Sequence, residues 1–250
     1  MSLLVVEQLA KNFGGVAAAD GLGLILEPGE LHAVIGPNGA GKTTLINQIS
    51  GEIRPDAGRI VFDRHDITYA PAHRRSLFGL SRSYQITSVF REFTVLQNVA
   101  MAVQAHAGHS FSFWSPAASD PALTGPAAAV LDQVGLSARA GAIVSSLAHG
   151  EQRQLELAMA LVTRPKLLLL DEPMAGMSHG EAENIVALLA SLKGRYAILL
   201  VEHDMDAVFA LADRITVLVY GKAIACGAPD EIRGNPEVRE NYLGDQDAEA

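Results

Sequence analysis

A chain of 250 residues with 49% hydrophobic and 19% charged side chains can bury one large α/β core or two small ones, and this composition excludes a disordered protein. The formal net charge of −9, with no concentrated run of Lys and Arg, argues against nucleic acid as a partner, because phosphate backbones select basic faces. A single cysteine, Cys226, excludes an internal disulfide framework and fits a reducing compartment.

The amino-terminal stretch Met1 to Phe13 lacks the basic start, long apolar core and small-residue cleavage site of a secretory leader, so none is expected. No stretch reaches the ~18 uninterrupted apolar residues of a membrane span. Arg195 and Glu202 bracket the run Tyr196 to Val201, and Asp171 closes Leu167 to Leu170. The apolar residues are therefore expected in buried strands and at a protein interface.

Short β-rich runs come first, at Leu3 to Val6, Gly23 to Leu26 and Leu31 to Ile35. The third enters Gly36-Pro37-Asn38-Gly39-Ala40-Gly41-Lys42-Thr43, which fits G-x-x-x-x-G-K-[ST], and Lys42 to Ile49 then reads as a helix. Glycines let backbone N–H groups turn inward and approach a phosphate, and the helix turns its positive end to the same anion. Lys42 is placed to reach β- and γ-phosphates, and the Thr43 hydroxyl to ligate Mg²⁺. The competing reading is a chance glycine-rich turn. A strand before the match and a helix after it are what the phosphate-binding chemistry demands, and both are expected here.

Gly58 to Asp63 reads as a further strand. From Phe93 to Leu147 the sequence becomes Ala-rich and helix-favouring, with an irregular Ser-, Pro- and Gly-dense stretch from His109 to Pro126. His106 and His109 have i, i+3 spacing, but no acid or cysteine joins them, so they read as solvated helix residues. Trp114 reads as local packing or a contact to a bilayer or partner.

Strand signals return at Leu167 to Leu170, Ala197 to Val201 and Ile215 to Val219, each a nearly continuous apolar run. That is the pattern of a parallel sheet covered on both faces, and the helical segments between them supply the crossovers. A last short strand, Ala223 to Cys226, precedes a polar tail after Pro229.

The run Leu167 to Leu170 ends in Asp171 and Glu172. Many strands end in an ordinary surface charge. With a phosphate loop upstream, however, Asp171 is the expected Mg²⁺ partner, directly or through water, and Glu172 is placed to orient or deprotonate an attacking water. If the strand continues through both, the two carboxylates point to opposite faces.

With both motifs in one chain, the sequence resembles the ATP-binding subunits of ABC-type membrane transporters along nearly its whole length. Leu147-Ala148-His149-Gly150-Glu151-Gln152 is similar to the family signature L-S-G-G-Q. Gln85 resembles the Q-loop glutamine, which contacts Mg²⁺ and the lytic water, and His203 resembles the switch histidine at the γ-phosphate. Phe13 resembles the aromatic that stacks on adenine, with Val16 as an added apolar contact.

The resemblance implies an α/β fold, a P-loop NTPase (RecA-like) parallel-sheet core with an N-terminal antiparallel β subdomain and an inserted α-helical subdomain. Residues 1–85 and 164–225 would form the catalytic core with its β subdomain, 86–163 the helical subdomain, and 226–250 a C-terminal tail of one ATPase domain. It implies ATP hydrolysis with Lys42, Gln85, Glu172 and His203 as the catalytic set, and Mg²⁺ held by Thr43, Gln85 and Asp171. ATP would lie on Phe13, Val16 and the loop from Gly36 to Thr43, with Thr44 beside it. Ala148, His149, Gly150 and Glu151 would cap ATP held by a second ATPase subunit, identical or related. Ala148 stands where the family usually has serine, and Ser178, in Ala175-Gly176-Met177-Ser178, where it usually has aspartate. The composite site completed by this signature is therefore expected to close less tightly.

The segments Lys11 to Val16, Ala175 to Met177, Gly227 to Ile232, Asn235 to Val238 and Tyr242 to Gly244 resemble ATPases of branched-chain amino acid importers. The resemblance then implies integral membrane permease subunits, indirectly a periplasmic solute-binding protein, and a peripheral location on the cytoplasmic face of the inner membrane. Similar ATPases serve urea or amide importers and lipopolysaccharide exporters. Val89, Phe90, Phe93, Val95 and Leu96 are the expected surface for a permease helix. A soluble ABC ATPase would carry two cassettes or a long coiled-coil insertion, and a P-loop kinase would leave the signature and His203 without a role.

Overall fold

The computed structural model describes residues 1–83, 89–107 and 120–243. Strands β3 (Leu31–Ile35), β7 (Leu167–Asp171), β8 (Ala197–Val201) and β9 (Arg214–Val219) are almost wholly buried. With β6 (Leu80–Ser83) and β10 (Lys222–Gly227) they form a six-stranded sheet in the order β10-β9-β3-β8-β7-β6, parallel except for the β9/β10 pair. Successive side chains divide between two cores. Leu168, Leu170, Ile198 and Leu200 enter one, and Leu167, Leu169, Leu199 and Val201 the other. A continuous apolar run is what a strand needs when both faces are covered.

The second sheet is antiparallel, in the order β2-β1-β4-β5, with β1 Leu4–Phe13, β2 Val16–Leu26, β4 Ala57–Phe62 and β5 His65–Asp66. The first two strands are far longer than Leu3 to Val6 and Gly23 to Leu26. Register shifts between Val6 and Leu9, Leu9 and Lys11, and Lys11 and Asn12 break the alternation that would have revealed them.

Helix α1 (Lys42–Ser50) follows β3, and α2 (Ala72–Leu77) lies against it through Arg75. The fully buried Arg75 guanidinium donates to the carbonyls of Gln48 and Ile49 at 2.7 Å, of Ala70 at 2.7 Å and of Thr68 at 3.1 Å. Burial lowers its pKa to about 10, so it stays cationic at neutral pH and supports the carbonyl end of α1. Arg75→Met is expected to remove about 3–5 kcal/mol of stability, because three buried carbonyls and the part-buried one of Ala70 lose their donor. Urea denaturation measures it, and an unchanged midpoint would refute this role for Arg75.

Between β6 and β7 run α3 (Val95–Ala107), α4 (Pro121–Gln133) and α5 (His149–Leu161), whose Val99, Leu131 and Leu155 share one core. Gln85, His109 and Trp114 lie outside the described residues. Val95, expected on a docking surface, is fully buried in this core, whereas Phe90 and Phe93 are exposed and stack on each other with centroids 5.5 Å apart. After β7 come α6 (His179–Leu192) and α7 (Met205–Leu211).

The segment after β10 is more than a polar tail. It forms α8 (Pro229–Gly234) and further helical turns at Pro236–Val238 and Arg239–Leu243, and Ile232, Val238 and Tyr242 are buried in the same core as Leu200. Three widely spaced anchors hide in a stretch whose average is polar. Among the described residues no helix is long and apolar enough to cross a membrane.

Candidate active site

Because β3, β8 and β7 are neighbours running in parallel, their carboxyl ends deliver three loops to one edge of the sheet, where open α/β folds build their sites. The loop after β3 is the glycine-rich one. Gly36 has φ 147° and Gly41 φ 101°, and a Cβ on either would stand 2.0 Å from the Leu218 carbonyl or 2.2 Å from that of Ala18. Only glycine lets this loop lie flat between its neighbours. Gly36, Pro37 and Asn38 then line a cavity of about 460 Å³ together with Glu172 and His203.

Lys42, at the start of α1, is buried and its Nζ donates to the Gly36 carbonyl at 2.6 Å and the Pro37 carbonyl at 3.1 Å. Desolvation lowers its pKa, and the charges of Glu172 and Asp171 act in the opposite direction. Thr43 is exposed, Thr44 half-buried, Gly39 exposed and Ala40 buried.

Asp171 is fully buried and its carboxyl is pushed up by desolvation, against the attraction of Arg82. Its Oδ2 accepts from Arg82 at 3.3 Å, and its Oδ1 is a buried oxygen with no hydrogen-bond partner. An orphaned hard oxygen close enough to Lys42 to act on its charge fits Mg²⁺, which is held by one or two protein oxygens plus phosphates. The strand stops at Asp171. Glu172 turns into the left-handed region at φ 48°, so the two carboxylates are separated by a break in the strand and not by its alternation. The Glu172 N–H donates to the Val201 carbonyl at 2.8 Å, which fixes the turn on β8.

Three side chains that carry no sequence motif hold this turn. Arg153 of α5 donates to the Pro173 carbonyl at 3.1 Å and to those of Asp171 and Glu172 at 3.3 Å each. Arg82 links Asp171 to Glu52 and Asn47 at the end of α1. Glu202, 1% exposed, accepts from the Met174 N–H and the His203 N–H at 3.0 Å each, and lies 3.6 Å from His203 Nδ1. Burial raises its pKa. Glu202 thus ties the Glu172 turn to His203. Tyr242 and Asn241, from the carboxyl-terminal turns, complete the cavity.

Other expected residues lie elsewhere. Phe13 and Val16 face each other at the tip of the β1/β2 hairpin, 49% and 68% exposed, with the Lys11 ammonium 5.6 Å from the Phe13 ring. Ala148, His149, Gly150 and Glu151 sit at the amino end of α5 and do not line the Gly36–His203 cavity. Ala148 offers no side-chain cap, and its N–H donates to Glu151 at 3.0 Å. The Gly150 N–H donates at 3.0 Å to Glu181, whose carboxylate also accepts from the Ser178 hydroxyl at 2.6 Å. The Ser178 hydroxyl, then the Gly150 and Ser178 N–H groups, lower the Glu181 pKa to about 2. Ser178 therefore joins the signature helix to α6 through Glu181.

Comparison with known proteins bears on this arrangement. The ABC transporter family profile matches residues 19–175, and that of the branched-chain amino acid ATP-binding cassette transporter matches residues 224–248. The high-affinity branched-chain amino acid transport ATP-binding protein BraF of Pseudomonas aeruginosa is 38% identical over 250 residues, covering 97% of this chain and 98% of that protein. LivG of Escherichia coli K12, described in the same words, is 37% identical over 252 residues with 97% and 98% covered. The ADP conformation of MJ1267, an ATP-binding cassette of an ABC transporter, superposes with a TM-score of 0.86 at 30% identity, covering 98% of this chain and 99% of that one. A nucleotide-free cassette gives 0.85 at 30% identity, with 97% and 99% covered. With its glycine loop, paired carboxylates and His203 at one sheet edge, the chain belongs to the ABC transporter family of ATP-binding cassettes.

Proposed function

We propose that this chain binds Mg-ATP on the loop Gly36 to Thr44 and hydrolyses it, driving uptake of branched-chain amino acids or a similar small solute through membrane permease subunits. The observation that carries the reading is the convergence of Gly36, Pro37, Asn38, Glu172 and His203 on one cavity beside the buried Lys42 and Asp171. Lys42 holds its charge against the β- and γ-phosphates, and Glu172 accepts the proton of the attacking water as the bond to ADP breaks. His203, fixed through Glu202, donates toward the γ-phosphate. Thr43, Asp171 and Gln85 would hold Mg²⁺, which neutralises phosphate charge and orients the in-line attack. Phe13 and Val16 would take the adenine face. Ala148 to Glu151 would cap ATP on a second ATPase subunit, identical or related, so that closure of the pair moves the permease.

The cytoplasmic face of the inner membrane, with a periplasmic solute-binding protein beyond the permease, follows from the same reading. The test is to purify the tagged chain from native membranes with its bound subunits and reconstitute them in vesicles. ATP-dependent entry of labelled leucine, with phosphate released in the absence of any acceptor, is the expected result. Phosphate appearing only with an added acceptor would establish a kinase instead. Release without any bound membrane subunit would establish a soluble ATPase.

A further inference from the structure

The amino end of α5 carries a backbone donor that is taken by a carboxylate from another helix. Gly150 is buried, although its neighbours Ala148 and His149 are exposed. Glu181, in the first turn of α6, packs directly on it. A Cβ on Gly150 would stand 3.1 Å from Glu181 Cγ and 3.2 Å from its Oε1. The Gly150 N–H donates to Oε1 at 3.0 Å, while Oε2 accepts from the Ser178 N–H at 3.1 Å and the Ser178 hydroxyl at 2.6 Å. One side chain thus bridges the amino ends of α5 and α6, helices of 13 and 14 residues. The reason lies in the N-cap. A serine there can accept from the second or third amide of its helix, but Ala148 has no acceptor, so another element satisfies Gly150.

We propose that Glu181 holds the place of the terminal phosphate of ATP at Gly150, and must release it before this chain can cap the second subunit's nucleotide. The inference rests on the function proposed above and adds the residue that sets how much ATP closure requires. A helix amino end offers positive partial charge and outward amides, so a carboxylate and a phosphate compete for the same donor. Gly150 has one proton to give, and two anions within hydrogen-bonding reach of it repel each other. Exchange is therefore needed, and its cost falls on closure. Ser178 makes the exchange reversible. It holds Oε2 from within α6, so the carboxylate gives up Gly150 without losing its other partners and returns when the nucleotide leaves. Glu181 acts here as a positioning residue, through the Gly150 amide and its own charge.

The test uses the complex purified from native membranes, with Glu172→Gln in every arm to slow hydrolysis. A dye on a non-natural residue at the exposed Ser146 and a second dye on the other ATPase subunit report closure as ATP is added. Glu181→Gln is expected to lower the ATP concentration at half-maximal closure roughly tenfold, because it keeps an acceptor for Gly150 and removes the charge. Glu181→Ala should lower it by a similar factor. The effect should also be electrostatic. Raising potassium chloride from about 0.05 M to about 0.5 M should narrow the gap between Glu181→Gln and the reference complex to about two- to threefold. A purely structural cap would instead lower the thermal midpoint and leave both the ATP concentration and its salt dependence unmoved. The isosteric Gln variant decides the matter even if Glu181→Ala does not fold. An unchanged or raised ATP requirement in Glu181→Gln, or a gap that salt does not alter, overturns the Glu181 assignment while the proposed function stands. Failure of ATP to bring the two ATPase subunits together in the reference complex overturns the proposed capping, and this assignment with it.

Discussion

Glu172→Gln is expected to bind ATP with unchanged affinity and to release phosphate about 10²–10⁴-fold more slowly, the range that a positioned general base supplies. The substitution keeps shape and hydrogen-bonding reach and removes only the ability to take a proton. Little else should move, because the backbone at 172 is held independently of the side chain. Its N–H is bonded to Val201, its carbonyl to Arg153, and Glu202 fixes Met174 two residues on. That scaffold sustains a left-handed φ of 48°, which costs a non-glycine residue roughly 1–2 kcal/mol. Glu172→Gly should accordingly be as inactive as the Gln variant without being less stable. Pre-steady-state phosphate release and equilibrium binding of a non-hydrolysable analogue separate these effects. Near-normal turnover in Glu172→Gln would remove Glu172 as the base.

Several parts of this site were open to inspection in the sequence, for identifiable reasons. The runs at Leu31, Leu167, Ala197 and Ile215 could be read because strands covered on both faces leave no polar residues to blur them. The loop Gly36 to Thr43 could be read because phosphate binding constrains residue type at fixed local spacing. Long-range partners leave no such trace. Arg153 meets Glu172 across 19 positions, Glu202 meets Met174 across 28 and Arg82 meets Asp171 across 89, so each looks like an ordinary charged residue until the chain is folded. The end of β7 misled for a different reason. Alternation predicts opposite faces for Asp171 and Glu172, but the hydrogen bond to Val201 and the Arg153 grip stabilise a turn that local propensity disfavours. Strand β6 escaped notice because Leu80-Ser81-Arg82-Ser83 has only one apolar residue. It lies at the sheet edge, where Arg82 turns toward Asp171.

The second large effect is expected at Lys42. Lys42→Ala should weaken Mg-ATP binding about 100-fold or more and abolish turnover, since charge-assisted contacts to two phosphates are worth about 1.5–3 kcal/mol each. The free protein already shows how the ammonium is prepared for this. Burial has lowered its pKa, its Nζ is held by the carbonyls of Gly36 and Pro37, and the charges of Glu172 and Asp171 act on it in the opposite direction. Removing the cation leaves these two anions facing a polyanionic ligand, so attraction becomes repulsion at the same spot. Lys42→Arg should not restore activity. A planar guanidinium is wider than an ammonium, and a loop pinned against Ala18 and Leu218 through Gly41 and Gly36 has no room to retreat. Calorimetric titration with a non-hydrolysable analogue, alongside phosphate release, distinguishes the outcomes. If the alanine variant binds and turns over Mg-ATP like the unaltered chain, the glycine loop is not a phosphate site and the reading of the whole cavity fails with it.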